Sequence, residues 1–411
     1  MVVAFIGLFA AMDITVVSLL IEPMKHELHI TDVQVGLIQT TSFFAAYGLF
    51  AIPMGMLADR VRRVSMLLVA MLLWCGGLAL VGLSHDPWLL AAAKALMGVA
   101  LAMTYPAAMS LMADNFAPDR RAFASATFGM GQDLGAGAGL LVGGIGYTAL
   151  VGMVSVNPQV LNGISPWRAV SLGFAALGLL LIPAVIALRE PARMETRSRE
   201  SKSTLALWDY RHFLLPLFAG MMALGGLVSG LRTWFAPALM RLYGLQPGEF
   251  ALWLSGTMLV SGFSGHALSS KLINMSRLRG GDQKAMQFAA IAAALCIPGS
   301  LLALMPHAWE FGALTSLFMI ASGAAVSIPV IVINFRIPNE LRGLCMGLYV
   351  VLISLSGMIG APLIGYTNQQ IGGDTNLGYA MALVGAPLAL LAAISFWAAT
   401  KSDPIALPIV G

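Results

Sequence analysis

Charge is scarce in this chain. Only 10% of its 411 residues are Asp, Glu, Lys or Arg, whereas soluble domains carry about 25%, so no water-soluble domain can be built from it. The three cysteines, Cys75, Cys296 and Cys345, lie in apolar segments with no CxxC spacing and no histidine companion. They give neither a disulfide framework nor a metal site. No H-E-x-x-H, G-x-S-x-G or G-x-x-x-x-G-K-[ST] string occurs, and the chemistry-bearing residues form no compact constellation, so the chain reads as neither an enzyme nor a phosphate-loop pump. Period-two alternation is missing as well, which excludes an outer-membrane barrel.

What is plentiful is apolar surface: 58% of residues are hydrophobic and the mean hydropathy is +0.84. A bilayer-spanning helix takes about 20 apolar residues. Apolar runs near 2–22, 34–57, 65–83, 88–113, 122–150, 168–188, 213–238, 249–270, 284–304, 310–333, 344–366 and 378–400 predict 12 transmembrane helices in an all-α integral membrane protein. Residues 1–22 are read as the first of these and not as a signal peptide, because they lack a basic leader, carry Asp13 and precede many further spans. An even count puts both termini on one side. With the termini in the cytoplasm, 18 of the 23 Lys and Arg fall inside, as the positive-inside rule requires. The pI near 9.0 therefore reports orientation in a cell (inner or plasma) membrane, and a nucleic-acid partner is rejected.

The longest hydrophilic stretch, 189–212, separates a six-helix half at 1–188 from another at 213–411. An internal repeat supports this division. Asn115-Phe116 and Gly146-Tyr147 recur as Asn334-Phe335 and Gly365-Tyr366, each 219 positions later. Pro118, Arg121 and Ala122 likewise match Pro338, Arg342 and Gly343.

Between spans two and three stands Gly55-Met56-Leu57-Ala58-Asp59-Arg60-Val61-Arg62-Arg63. An Asp among basic residues in a tight turn can make charge-assisted hydrogen bonds to a neighbouring helix end. The string resembles the G-x-L-A-D-R-x-G-R-R signature of the major facilitator superfamily, with Arg62 in place of the second glycine. That resemblance implies two pseudo-symmetric six-helix halves and a gating latch at Asp59, Arg60 and Arg63. The second-half counterpart, Gly265 to Lys271, has Ser269-Ser270 where the Asp-Arg pair would stand. The latch is thus expected to be asymmetric and supported by Arg120, Arg121 and Arg342. The fifth span is crowded with glycines from Gly129 to Gly146, which suits close helix packing. Its Gly135-to-Gly144 string is similar to the superfamily's antiporter motif, with Leu140 replacing the proline.

Within the superfamily the chain resembles the spinster-like transporters. The likeness runs through Ser18 to Lys25, Gly36-Leu37, the signature loop, Tyr105-Pro106-Ala107-Ala108, Pro166-Trp167-Arg168, Arg189-Glu190-Pro191, Trp234 with Pro237 and Arg241, and Pro338 to Gly343. Two departures touch the mechanism. Asp13 is followed by Ile14 where that subgroup carries Arg, and Leu101 stands where it carries an embedded Glu.

Four charges lie well inside spans: Asp13, Lys94, Asp133 and Arg232. Each costs about 2.5–3.5 kcal/mol at mid-bilayer, so each marks a functional candidate with a partner to be named. The sequence reading pairs Asp13 with Lys94 on facing helices as a proton-coupling element, the alternative being a static pair that only balances charge. Asp133 is a second proton candidate. Lys94 and Arg232 are candidates for clamping an anionic substrate, Arg232 alternatively snorkelling to the interface beside Trp234. Tyr105 and Gln39 offer hydrogen bonds to the same cavity, and His266 ranks as a packing residue before a relay. The expected function is a secondary active transporter that moves a small amphiphilic or organic anion by alternating access with proton coupling. A lysolipid or sphingoid-type cargo and drug/proton antiport are the alternatives. The expected partners are the substrate, protons and the bilayer, with the chain acting as a monomer and no cofactor or metal.

Overall fold

The structure is a computed structural model. It describes residues 2–116, 118–191, 204–278 and 281–401, and some side chains within those ranges, including those of 118–126, lie outside the description. Among the described residues there is no strand. Twelve helical rods follow one another: α1–α2 (Val2–Leu19 and Ile21–Leu28), α3–α4 (Asp32–Gly36 and Ser42–Ala58), α5 (Arg63–Leu83), α6 (Pro87–Asn115), α7 (Pro118–Val156), α8 (Pro166–Ile186), α9 (Arg211–Tyr243), α10 (Pro247–Leu278), α11 (Gly281–Gly299), α12 (Ala308–Arg336), α13 (Asn339–Gln370) and α14 (Leu377–Ala399). Among the described residues ten are long and apolar enough to cross a bilayer, and the bent α1–α2 pair, taken as one span, makes an eleventh. The remaining rod, α10, has spanning length but is diluted by Ser255, Ser261, Ser264, Ser269 and Ser270.

Local chemistry fixes where the rods start and break. Asp86 accepts hydrogen bonds from the Trp88 and Leu89 amides, and Pro87 opens α6 with its preset φ. Thr31 and Gln34 form a capping box at α3. Gly244, at φ +65°, makes the tight turn from α9 to α10. The first rod bends by 52° between Leu19 and Ile21, because Pro23 has no N–H for the Leu19 carbonyl and its ring crowds that carbonyl. The helix then continues to Leu28, six residues beyond the end expected from hydropathy. The second rod carries one π-turn at Leu37–Thr41.

The chain divides into two compact units. The first comprises Met1–Arg197 with Thr233–Leu259, and the second Ser198–Arg232 with Val260–Gly411. Compactness thus groups the end of α9 and the start of α10 with the first six rods. In the first unit α1 lies along α7, and α5 lies between α6 and α8. The α7 glycines make the first crossing possible. A Cβ on Gly135 would strike the Leu8 carbonyl, one on Gly139 would strike the Met12 carbonyl, and Thr15 Oγ1 donates across to Ala136 O at 2.8 Å. Gly137 and Gly144 give the same closeness to Leu259 and Ala251 on α10. In the second unit Gly360 on α13 meets the Gly226 carbonyl on α9 in the same way.

The repeat also reappears in the ion pairs. Arg63 opens α5 and pairs with Asp114 near the end of α6. The residue 219 positions after Arg63 is Asp282, which opens α11 and pairs with Arg336 at the end of α12. Each unit therefore staples the same two consecutive rods at the same end, with the charges exchanged. Arg336 also stacks over Phe213, its guanidinium carbon 4.4 Å from the ring centre.

Candidate functional site

Asp13 and Lys94 meet inside the first unit. Lys94 Nζ lies 3.5 Å from Asp13 Oδ2, with 4% and 0% of the two side chains exposed. Asp13 sits in the middle of α1 and Lys94 two turns into α6. Trp74 on α5 closes the third side, and Ile6, Phe9, Ala10, Ala70, Met71 and Thr104 wall the space beside it. Neither Asp13 carboxylate oxygen, nor the Trp74 indole N–H, has a hydrogen-bond partner of standard geometry among the described residues. Asp13 is held by the long contact to Lys94 and by the nearby Trp74 side chain, and satisfied hydrogen bonds are what make buried ion pairs stable.

Sequence reasoning named Asp13 and Lys94 but missed Trp74. A tryptophan deep in an apolar span needs a partner for its N–H, and that was the available signal. Leu101, where the spinster-like pattern has its acid, is a buried apolar residue on the same helix as Lys94.

The other candidates are more dispersed. The Tyr105 hydroxyl on α6 donates to Gln132 Oε1 on α7 at 3.0 Å, and its ring meets Phe128 edge-on at 5.6 Å. Asp133 follows Gln132 and is half-buried. Gln39 is half-buried in the π-turn. Arg232 is half-buried on α9 in the second unit, as is Arg342 on α13, whose Nη2 donates to Ile337 O at 3.3 Å. His266 is exposed on α10, with Nδ1 3.4 Å from Ser327 Oγ.

Of the expected gating set, Asp59 and Arg60 are exposed in the turn after α4. The side chains of Arg120 and Arg121 lie outside the described residues. Arg63 is only 1% exposed and committed within its own unit. It pairs with Asp114, donates from Nε to Glu190 Oε1 at 2.8 Å, from Nη1 to Ser110 Oγ at 3.1 Å and from Nη2 to Pro191 O at 2.9 Å. Glu190 in turn accepts from the Val64 amide at 2.9 Å. Burial works against the Glu190 carboxylate, but these donors outweigh it and hold the carboxyl below its ordinary value. Arg63 is thus a brace that ties α5, α6 and the segment after α8 together. Of its partners, Asp114 was not singled out from the sequence, and Glu190 entered only within the Arg189-Glu190-Pro191 string.

Known proteins extend these observations. Residues 3–306 match the Major Facilitator Superfamily. Over 410 residues the chain is 25% identical to an MFS-type efflux pump of Mycolicibacterium smegmatis, covering 97% of this chain and 91% of that protein. It is 24% identical over 256 residues to Protein spinster of Drosophila melanogaster, covering 60% of this chain and 40% of that one. Among solved structures, it is similar to a bacterial homolog of the human lysosomal transporter Spinster in an inward-facing and unoccupied conformation. The TM-score is 0.77 at 21% identity, over 97% of this chain and 96% of that chain. It is also similar to the nucleoside transporter NupG, with a TM-score of 0.71 at 15% identity over 98% of each chain. Twelve rods, a duplicated plan and a match over more than half its length agree: this chain belongs to the major facilitator superfamily, a superfamily of carriers and not enzymes.

Proposed function

We propose that the protein is a proton-coupled secondary active transporter that moves a small amphiphilic or organic anion by alternating access. The Asp13–Lys94 pair carries this reading. When Asp13 takes up a proton, the carboxylate charge disappears and the Lys94 ammonium is left without its counter-ion in an apolar wall. An anionic substrate group is the natural replacement, so proton uptake and anion binding favour each other. Arg232 supplies a second cation from the other half of the sequence, Tyr105 and Gln39 supply hydrogen bonds, and Asp133 is a second proton site. Asp59 and Arg60, with Arg120, Arg121 and Arg342, gate the cytoplasmic side, and Arg63 braces that end. The transporter works as a monomer in the cell membrane with both termini cytoplasmic.

Likeness to the mycobacterial efflux pump along the whole chain supports a second reading, export of an amphiphilic drug-like molecule in exchange for protons. A lysolipid-type cargo is the corresponding reading from the spinster likeness.

Proteoliposome transport of labelled organic anions, drug-like amphiphiles and lysolipids separates the three cargoes. Asp13→Asn abolishes uptake driven by a pH gradient and spares counterflow exchange. Gradient-driven transport at the wild-type rate in that variant would refute the proton role.

A further inference from the structure

The second unit carries an open apolar groove between α11 and α14, about 300 Å³ in volume. Its floor is alanine, Ala290 and Ala294 on α11 with Ala393 on α14, and its walls are Ile291, Ile394 and Trp397, which are 52%, 58% and 51% exposed. Both sides of the groove run on to the same end of the unit, the one that holds the Arg336–Asp282 staple. On α11 the face that presents Ala294 and Ala290 continues at helical spacing through Gln287 to Gln283, with Lys284 beside it. On α14 the face of Ile394 and Trp397 continues to Lys401, whose amide donates to Ala398 O at 3.1 Å and so extends the last turn.

The mouth at that end is polar and cationic. Gln283 Nε2 donates to Thr400 O at 2.9 Å and ties the two rods together there. Lys284 and Lys401 are exposed, one on each rod, and the Lys284 ammonium lies 5.9 Å from the Phe288 ring centre. The acid on the opening turn of α11, Asp282, is 1% exposed and bound to Arg336, so it does not neutralise the two lysines.

Depth and charge together select the occupant. From Lys284 to Ala294 the helix rises about 15 Å, half of the ~30 Å hydrocarbon core and therefore the depth of one leaflet. A cationic mouth leading into one leaflet's depth of apolar groove matches a lipid, with its phosphate at the lysines and one acyl chain along the alanines. We propose that the α11–α14 groove is a binding site for an anionic phospholipid of the leaflet at the staple end, the cytoplasmic leaflet in the orientation proposed above. Another helix fits less well, because helices associate in a bilayer by bringing small residues into backbone contact, and here the alanines lie behind Ile291, Ile394 and Trp397. A thin, flexible chain reaches that floor where a rod does not. The site is independent of the cargo and of the Asp13–Lys94 pair.

The test uses Trp397 as reporter in nanodiscs that contain phosphatidylcholine and phosphatidylglycerol, with the same amount of brominated acyl chain placed on one lipid or on the other. The Trp397 signal is the difference in fluorescence between the parent and Trp397→Phe. A lysine near the surface favours an anionic headgroup by about fivefold, so brominated phosphatidylglycerol should quench Trp397 several-fold more than brominated phosphatidylcholine. Trp88, 84% exposed on α6 and read in the same way through Trp88→Phe, should show no such preference. Lys284→Gln with Lys401→Gln should abolish the preference at Trp397, and Ala294→Phe, which fills the floor, should bring quenching by phosphatidylglycerol down to the phosphatidylcholine level. Should the double variant not fold, each single substitution should lower the preference by about fivefold. Equal quenching by the two lipids in the parent, or a preference that survives either change, overturns the site. Quenching by neither lipid overturns it as well, because a second copy or another chain then covers the groove.

Discussion

Removing one member of the Asp13–Lys94 pair should destabilise the protein, and removing both should restore most of the loss. The pair is 3.5 Å apart with side chains at most 4% exposed, so solvent screening is weak. Asp13→Asn leaves an ammonium in an apolar wall, which costs about 3–5 kcal/mol when a buried partner is lost. Lys94→Met leaves the carboxylate and carries a penalty of the same origin. The double variant buries two uncharged side chains of similar volume, for which the expected change is near zero or stabilising by about 1–4 kcal/mol. The coupling energy should then exceed about 3 kcal/mol, larger than the 0.5–3 kcal/mol found for most contacting pairs. Reversible SDS titration in mixed micelles, followed by tryptophan fluorescence, measures all four corners of the cycle. If Asp13→Asn unfolds at the wild-type midpoint, or if the double variant loses the sum of the singles, the two residues do not form an ionised pair and the proposed coupling loses its basis.

Two further outcomes follow from other parts of the first unit. Gly139→Ala puts a methyl group against the Met12 carbonyl on α1, whereas a Cβ on Gly129 of the same helix meets nothing within 4 Å. Gly139→Ala should cost about 1–3 kcal/mol, Gly129→Ala should be neutral or gain up to about 1 kcal/mol from helix propensity, and thermal stability in detergent compares them. Glu190, held below its ordinary value of 4.5, contributes stability that is full above that value and fades as the pH falls through its lower folded value. The gap in melting temperature between wild type and Glu190→Gln should therefore be largest near about pH 7 and narrow on acidification below about pH 4. A constant gap would show that the Glu190 charge contributes nothing.

Hydropathy made the fold legible, because twenty consecutive apolar residues have one economical use and the turns between them are polar. It did not register the break at Pro23, since α2 is short and mixed in character and reads as a loop. The Asp13–Lys94 pair was legible because charges are rare inside spans, which leaves few possible partners. Outside the spans that advantage disappears. Arg63, Asp114 and Glu190 all sit among other charged residues at rod ends, and their partners are 51 and 127 positions away. A single sequence carries no signal that selects those pairings over their neighbours.

Arg63 and Asp282 show what duplication retains. If the sequence at each staple were under tight constraint, both copies would keep the same sign at the same place. The opening residue keeps its place, its partner on the next rod moves three positions along (336 − 114 = 222 against 219), and both exchange sign. The attraction between two unit charges depends on their product, so exchanging both leaves the staple intact while inverting the local field. A change of sign on one side only would leave two like charges in contact at a buried site, so the exchange had to involve both partners. What the two halves share is thus the need to tie consecutive rods at one end. The remaining fork partner of Arg63, Glu190, belongs to the first unit alone, and it makes the first staple the more heavily braced of the two.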